Sequence, residues 1–525
     1  MSLKKKYTIL KKNKYDTEIS LFKNNEKNLL NNEKIDSLGI IDVPKNKYWG
    51  AVTQRYLKYF KTSFPTQSLE LIYMYALLKK YSALVNQQVG SLSIERSNII
   101  QKVCDEIING ELNDNFPLTI WQTGSGTTTN MNLNEVISNR ANQLISEKQE
   151  LNENNYIHPN DHVNRSQSSN DSYPTVLYML FVFKIITRLQ PVLQKVINTL
   201  QEKENKFKNI YKIGRTHLQD ALPLTFGEEF SGYKSLIQSN LDNILHSIKY
   251  CFELPLGGTA VGTGANADKR FGQMFADEIN KILISKINNE YDQFINNNLS
   301  NNNNFKNIYT NNTDINFVSA PNKFAALSAN NPLINLSSSL KELAINLMKI
   351  ANDIRFMASG PQTGLSEIII PQNEPGSSIM PGKVNPTQAE VIIMVCIEVI
   401  SNDLAVSIAG SQGNFELNVC RPLTYYKINE SIDLLVEFLI NFNDNLLIGI
   451  DIDKKKIENN LKKSNIIATL MNHEIGYENV SKIVNYSIKN NKTLEEACID
   501  LNFSQEYDDI IKPILLKNKK DFDEN

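Results

Sequence analysis

Apolar residues recur at helical spacing along much of this chain, and that period predicts a protein dominated by long helices. Helices are expected over 69–87, 94–108, the stretch carrying Glu135, Asn139 and Arg140, and 173–206, 226–250, 333–357, 389–409 and 424–447. Pro191 predicts a kink in the 173–206 helix. Several of the later helices are apolar on more than one face, so other helices must cover them, within or between subunits. The most apolar, 391–409, is interrupted by Glu398 and Asp403 and reads as a buried core helix rather than a membrane span. No long period repeats along the chain, which excludes a solenoid.

Composition narrows the picture. With 525 residues, 41% of them hydrophobic and 21% charged, the chain can bury a substantial core and is expected to hold two or three domains. A net charge of −2 leaves no basic field for nucleic acid or a membrane surface. Cys104, Cys251, Cys396, Cys420 and Cys498 are scattered without a C-x-x-C pair, which argues against a disulfide framework and a zinc site and fits a reducing compartment. Sequons at Asn298 and Asn311 are expected by chance in so asparagine-rich a chain, and no secretory signal is visible. Residues 1–35, with six lysines and no acid through Tyr15, read as a solvated, disordered extension. A mitochondrial presequence is the lesser alternative, because the segment has no arginine, so a cytoplasmic location is expected. The asparagine tract 288–316 reads as a disordered surface insertion without a function.

Five polar stretches carry candidate chemistry. In WQTGSGTTTNMN (121–132), Gly124 and Gly126 let backbone amides approach a ligand, and Ser125 and Thr127 offer hydroxyls to a carboxylate. No Gly-Lys-Ser/Thr follows, so a phosphate loop is excluded; alone, an ordinary turn with an N-cap explains the stretch equally well. In HPNDHVNRSQSSND (158–171), His158 and His162 sit four apart, the spacing of a metal pair on a helix. Pro159, Asn160 and Asp161 oppose a regular helix there and no third ligand is near, so a metal is rejected. Ser168, Ser169 and Asn170 instead supply hydroxyl and amide donors to carboxylate oxygens. His217 lies in KIGRTHLQD (212–220), a turn entering a long helix, and suits a positioned acid or base. LGGTAVGTG (256–264) lacks the dinucleotide glycine spacing and reads as a tight helix connection. GSSIMPGKVNPTQAE (376–390) is a Gly/Pro-punctuated loop feeding a helix. Its Ser377, Ser378, Lys383, Asn385 and Glu390 suit a reaction that builds negative charge on a carboxylate-bearing substrate.

That loop resembles the signature loop of class II fumarases, in the fumarase/aspartase superfamily of lyases. IDSLGIIDVPKNKYWGAVTQRYLKYF (from Ile35), FVSAPNKFAALSANN (317–331) and FELNVCRPLTYYKINESIDLL (415–435) resemble the same family in the same order. The final segment is similar to its small C-terminal helical domain. Ser125-Gly126-Thr127, Ser168-Ser169-Asn170, Pro381-Gly382-Lys383 and Pro386-Thr387-Gln388 favour fumarases over aspartases, which read Ser-Thr-Asn-Asp at 168–171.

The resemblance implies an all-α fold in three parts, 36–165, 166–450 and 451–525, whose central long-helix bundle packs into a homotetramer. It implies active sites assembled from loops of three subunits, and reversible hydration of fumarate to (S)-malate without a cofactor or metal. Ser377 corresponds to the base that takes the C3 proton, and His217, paired with Glu390, to the group that handles water or hydroxide. Lys383 and Asn385 match the residues that hold the charged carboxylate. Ser125, Gly126, Thr127, Ser168, Ser169, Asn170, Thr216, Ser378 and Val384 match other substrate contacts. His158, Pro159, Asn160 and Asp161 match a second dicarboxylate site, although Asn155 stands where the family often has a basic residue. The alternatives are an aspartate ammonia-lyase and a non-catalytic relative such as a lens crystallin.

Overall fold

The computed structural model describes residues 31–148, 151–298 and 315–524. A hairpin, β1 (Asn31–Asp36) and β2 (Gly39–Pro44), opens the described chain. It is followed by α1 (Ala51–Tyr59), α2 (Leu69–Gln88), α3 (Ile94–Ile108), α4 (Thr127–Ser146), α5 (Ser169–Lys184) and α6 (Gln190–Lys206). A second hairpin, β3 (Tyr211–Thr216) and β4 (Gln219–Thr225), precedes α7 (Phe226–Ser247) and α8 (Phe271–Asn298). Then come α9 (Lys323–Ser328), α10 (Asn331–Met357), α11 (Thr387–Gly410), α12 (Arg421–Phe442), α13 (Lys454–Lys463), α14 (Tyr477–Asn490), α15 (Leu494–Asp500) and α16 (Lys512–Glu524). The remaining strands are two-residue pairings, so the all-α expectation holds.

Three local expectations are corrected. The N-terminal extension was expected to be disordered to residue 35, yet Asn31–Asp36 pairs antiparallel with Gly39–Pro44. Arg55 of α1 fixes its turn, with Nε 2.7 Å from Asp36 and Nη2 2.8 Å from the Gly39 carbonyl. Residues 1–30, which carry the presequence alternative, lie outside the described residues. Of the asparagine tract, 288–298 continues α8, while 299–314 lies outside the described residues. The 173–206 helix breaks into α5 and α6 through a π-helical turn, Ile185–Leu189. Pro191 has no N–H for the Thr187 carbonyl, which explains why the regular ladder fails there.

The described chain forms two compact units. Of the described residues, one comprises 31–148, 151–188, 244–298, 315–339 and 401–432. In it α2 and α3 form a helical hairpin, and α2 also packs on α5. Ser68 Oγ caps α2 through Glu70 N, and Ser93 Oγ caps α3 through Arg96 N. Tyr173, Val176, Leu177, Met179 and Phe181 of α5 are all fully buried, as a helix apolar all round must be. The other unit comprises Leu189–Asn243, Leu340–Ile400 and Asp433–Asn525. There α13 packs on β3 and α16, and α14 on α15. Thr225 and Glu228 form reciprocal hydrogen bonds of 2.8 and 3.0 Å at the start of α7, which fix where the hairpin gives way to helix.

The apolar helix α11 differs from its expectation. It is not a fully buried core helix within the chain: Met394, Ile397, Leu404 and Ile408 are 60%, 55%, 62% and 57% exposed. With the exposed Ser401 they recur at alternating three- and four-residue steps, the seam of a helix that packs on another helix.

One buried carboxylate ties the start of the first unit together. Glu135 of α4 accepts from the N–H groups of Gly50, Val52 and Thr53 and from Thr53 Oγ1 at 2.7–3.2 Å. It caps α1 from a distant helix, where the positive end of the helix favours an anion. A Cβ on Gly50 would come within 2.7 Å of this carboxyl, so only glycine fits. Glu135→Ala is expected to cost about 3 kcal/mol in urea unfolding, because it orphans several buried donors at once. A loss below about 0.5 kcal/mol would remove Glu135 from this role.

Candidate active site

In the first unit, the loops around 125 and 169 meet. Ser125 Oγ is 2.7 Å from Thr127 Oγ1, which is 2.6 Å from Ser169 Oγ. The three hydroxyls thus form a chain at the starts of α4 and α5, where backbone N–H groups also favour anions. A Cβ on Gly124 would sit 1.5 Å from the Val419 carbonyl oxygen, and one on Gly126 2.2 Å from the Tyr173 ring, so the protein's own close neighbours require glycine at both positions. Gly126 also has φ 78°, left-handed backbone that glycine adopts without strain.

The 164–171 segment hands its backbone bonding to other residues. Ser168 Oγ accepts from Asn170 N at 3.2 Å, and Asp171 accepts from Ser168 N at 2.9 Å, a capping box that starts α5. The other Asp171 oxygen takes the N–H groups of Gly257 and Thr259 at 3.0 and 2.8 Å. Burial pushes the Asp171 carboxyl up to about 6 despite these donors. Pro174 cannot donate to the Asn170 carbonyl, and Arg421 Nη1 does so instead at 2.5 Å. Asn170 spends one amide hydrogen on Ala260 O at 2.8 Å, which docks the 256–264 connection.

His158 and His162 act on backbone. His158 Nδ1 accepts from Asn160 N and Asp161 N at 3.3 and 3.0 Å, and His162 Nδ1 accepts from His158 N at 2.8 Å. Pro159–Val163 winds as a single π-helical turn, in keeping with the absence of a regular helix. His158, Pro159, Asn160 and Asp161 therefore lie together at this turn.

In the second unit, Thr216 and His217 lie at the tip of the β3–β4 hairpin, not in the turn directly entering a helix that the sequence predicts. His217 and Leu218 have φ 54° and 59°. Positive φ at both central positions is the turn geometry that matches strand twist, and here two bulky residues adopt it instead of Asn-Gly. Both side chains stand exposed on a strained turn, a combination that concentrates at functional sites.

The 376–390 loop closes on itself. Gly376 N donates to Lys383 O at 3.1 Å, and Asn385 Nδ2 donates to Gly376 O at 2.7 Å. A Cβ on Gly376 would meet the Lys383 oxygen at 2.2 Å. Ser377 Oγ accepts from the N–H groups of Ile379 and Met380 at 3.2 and 3.1 Å. Two amides aimed at one hydroxyl oxygen stabilise it as an oxyanion. Ser378, Lys383 and Glu390 are exposed, Val384 and Asn385 half-buried. Among the described residues, the side chains of Thr216, His217, Lys383 and Glu390 make no hydrogen bond or ion pair. The expected His217–Glu390 pair therefore does not form within one chain.

Comparison with known proteins follows from these motifs. A lyase family matches residues 39–298 and 303–401, and the family described as the fumarase C C-terminus matches 467–517. A class II fumarate hydratase of Bacillus cereus is 45% identical over 480 residues, 91% of this chain and 97% of that one. The crystal structure of recombinant class II fumarase from Schistosoma mansoni superposes with TM-score 0.84 at 39% identity, covering 92% of this chain and 98% of that one. A Brucella melitensis fumarate lyase:delta crystallin structure, bound to cobalt, gives TM-score 0.79 at 31% identity, covering 94% and 100%. The chain belongs to the class II fumarase family.

Three buried charged groups beside the candidate residues are not anticipated from the sequence. Lys79 and Arg421 are buried cations next to the first-unit loops, and Glu367 is a carboxylate buried beneath the His217 hairpin. Glu367 forms ion pairs with Lys212 at 3.1 Å and Arg215 at 2.7 Å. Lys212 also pairs with Glu229 at 2.8 Å and lies 4.8 Å over the Phe226 ring. The hairpin that carries His217 is thus anchored by charge at its base.

Glu367→Ala removes the ion-pair partner of Arg215 and leaves Lys212 with Glu229 in a buried setting. The expected loss in chemical denaturation is about 3–5 kcal/mol, the cost of breaking a buried pair from one side. An effect under about 1 kcal/mol would show that the pairs do not hold the hairpin.

Proposed function

We propose that this fumarase catalyses the reversible hydration of fumarate to (S)-malate, with Ser377 as the base at C3. The observation that carries this reading is the Ser377 hydroxyl oxygen cradled by the Ile379 and Met380 amides, in the loop that also holds Lys383. Similarity to class II fumarate hydratases over 91% of the chain supports it.

The physical difficulty lies in removing a proton beside a carboxylate, because the product carries two charges on one end. Water does not support that carbanion at neutral pH, so fixed donors and a cation must surround it beforehand. A serine hydroxyl is a weak base, and the amide cradle lowers the cost of its anion. Lys383, with no ion partner of its own, and Asn385 hold the carboxylate that gains charge. Thr127, Ser168, Ser169 and Asn170 receive the other carboxylate, with Ser125, Gly126, Thr216, Ser378 and Val384 around them. His217, oriented by Glu390, manages water or hydroxide. The turn at His158–Asp161 takes no step in this chemistry.

The His217 and Glu390 side chains are both exposed and make no bond among the described residues of one chain, so we place their meeting between copies of the chain in a homotetramer. The α11 seam supports an assembly. Its opposite face is buried inside the protein through Ile392, Val395, Val399 and Val406, and is pinned by polar bonds: Asn402 Nδ2 donates to Glu430 and Ser431, and Ser337 Oγ donates to Asp403 at 2.7 Å. A helix bound that way offers its apolar seam to another protein helix rather than to lipid.

Purified protein is expected to interconvert malate and fumarate and to leave aspartate untouched, with Ser377→Ala and His217→Asn each lowering kcat by about 10²-fold or more. Turnover of aspartate alone would turn the reading to an ammonia-lyase, and near wild-type kcat in either variant would strip that residue of its role. Ile397→Glu with Leu404→Glu is expected to dissociate the assembly in sedimentation and abolish turnover together. Full activity in a monomeric double variant would defeat the shared-site reading.

A further inference from the structure

Lys79 of α2 is completely buried. Its ammonium donates to three amide oxygens: Asn130 at 2.7 Å, Asn164 at 3.0 Å and Gln167 at 2.9 Å. Those three acceptors use all its hydrogens, and no carboxylate is among them. Asn130 lies one turn into α4, beyond Thr127, while Asn164 and Gln167 lead directly into Ser168. The network runs on from there. Asn130 Nδ2 donates to Asn164 Oδ1 at 3.1 Å, and Tyr75 OH bridges Asn130 at 3.0 Å to Ser172 Oγ at 2.7 Å. Ser172 Oγ in turn donates to Ser168 O at 2.7 Å. One buried cation therefore fastens both hydroxyl-bearing loops whose side chains meet at Thr127 and Ser169.

We propose that Lys79 is a positioning residue for substrate: it sets the Thr127-to-Ser169 spacing and places an ammonium bonded only to amide oxygens beneath the site that takes a carboxylate of fumarate. The proposal rests on the reading of these loops as carboxylate-binding.

Charge around the loops supports it. Burial pulls the Lys79 ammonium down to about 7, against the opposite pull of Asp171 on α5 and Cys104 on α3. Arg421 donates to the Asn170 and Leu327 carbonyls, and Lys323 to the Leu254 and Leu256 carbonyls. Three cations thus surround this region with backbone or amide oxygens as their acceptors; Asp171 is the anion all three feel, and Lys323 feels Glu253 as well. Leaving cations without paired carboxylates is costly for folding alone, and an arriving dianion offsets that cost.

The test compares Lys79→Met, Gln167→Leu, Ser169→Ala and the Lys79→Met/Ser169→Ala double variant by kcat, KM for fumarate and thermal unfolding. Lys79→Met is expected to raise KM about tenfold or more with a smaller change in kcat. In the double variant the KM effects should fall well short of additive, because both act on one loop geometry. A change in stability with KM unaltered, or fully additive KM effects, would make Lys79 merely structural and overturn the proposal. If Lys79→Met does not fold, Gln167→Leu, which removes one of the three bonds from a half-buried residue, must raise KM severalfold; an unchanged KM overturns it equally. If Ser169→Ala and Thr127→Val leave KM unchanged, the reading of the loops fails and the Lys79 role falls with it. If those two raise KM and Lys79→Met does not, only the Lys79 role fails.

Discussion

A loop proposed to hold a ligand needs partners that fix its backbone, and residues 164–171 meet that demand with buried charge. Asp171 collects the N–H groups of Ser168, Gly257 and Thr259, Arg421 takes the Asn170 carbonyl that Pro174 leaves without a donor, and Lys79 gathers the amides of Asn130, Asn164 and Gln167. Lys79 and Arg421, and the Gly257 and Thr259 amides that bond Asp171, all lie far from the loop in sequence, so the loop's shape depends on the folded unit around it. The hydroxyls of Ser125, Thr127 and Ser169 can then stand close together at two helix starts, where the backbone favours negative charge.

The second unit meets the same demand by a different route. The His217 turn is strained, with two non-glycine residues at positive φ, and something outside the turn must hold it. Glu367 does so from below by pairing with Lys212 and Arg215 on β3. The Ser377 loop is held instead by its own backbone, through Gly376, Lys383 and Asn385. His217, Lys383 and Glu390 stand exposed beside these anchors, while Ser377 and Asn385 are half-buried and bonded within their own loop.

Much of this is legible in the sequence because the helices are long and strongly periodic. The 94–108 helix matches its expected bounds, and the segment before Pro191 deviates where a missing N–H requires it. The β3–β4 hairpin is not legible. Its strands have six and seven residues, and the register shift between Ile213 and Arg215 breaks the two-residue alternation that marks a strand. Lys79 escapes for a related reason, since beside Lys80 it looks like half of a solvated pair. Only the packing of α2 separates them: Lys80 reaches Asp105 at 2.6 Å with part of its side chain in solvent, while Lys79 turns fully inward. The His217–Glu390 pair is implied only by the family resemblance, and among the described residues of one chain the two side chains make no bond.

On the proposed function, hydration of fumarate needs the Ser377 loop of one copy to face the Thr127 and Ser169 hydroxyls of another. Mixing two inactive proteins tests that requirement most directly. One carries Ser377→Ala, the other Thr127→Val with Ser169→Ala, and the two are dissociated and reassembled together. The expected result is malate–fumarate turnover in the hybrids that neither parent shows. Hybrids that form, as seen by native mass spectrometry, yet remain as inactive as their parents would contradict a site shared between chains.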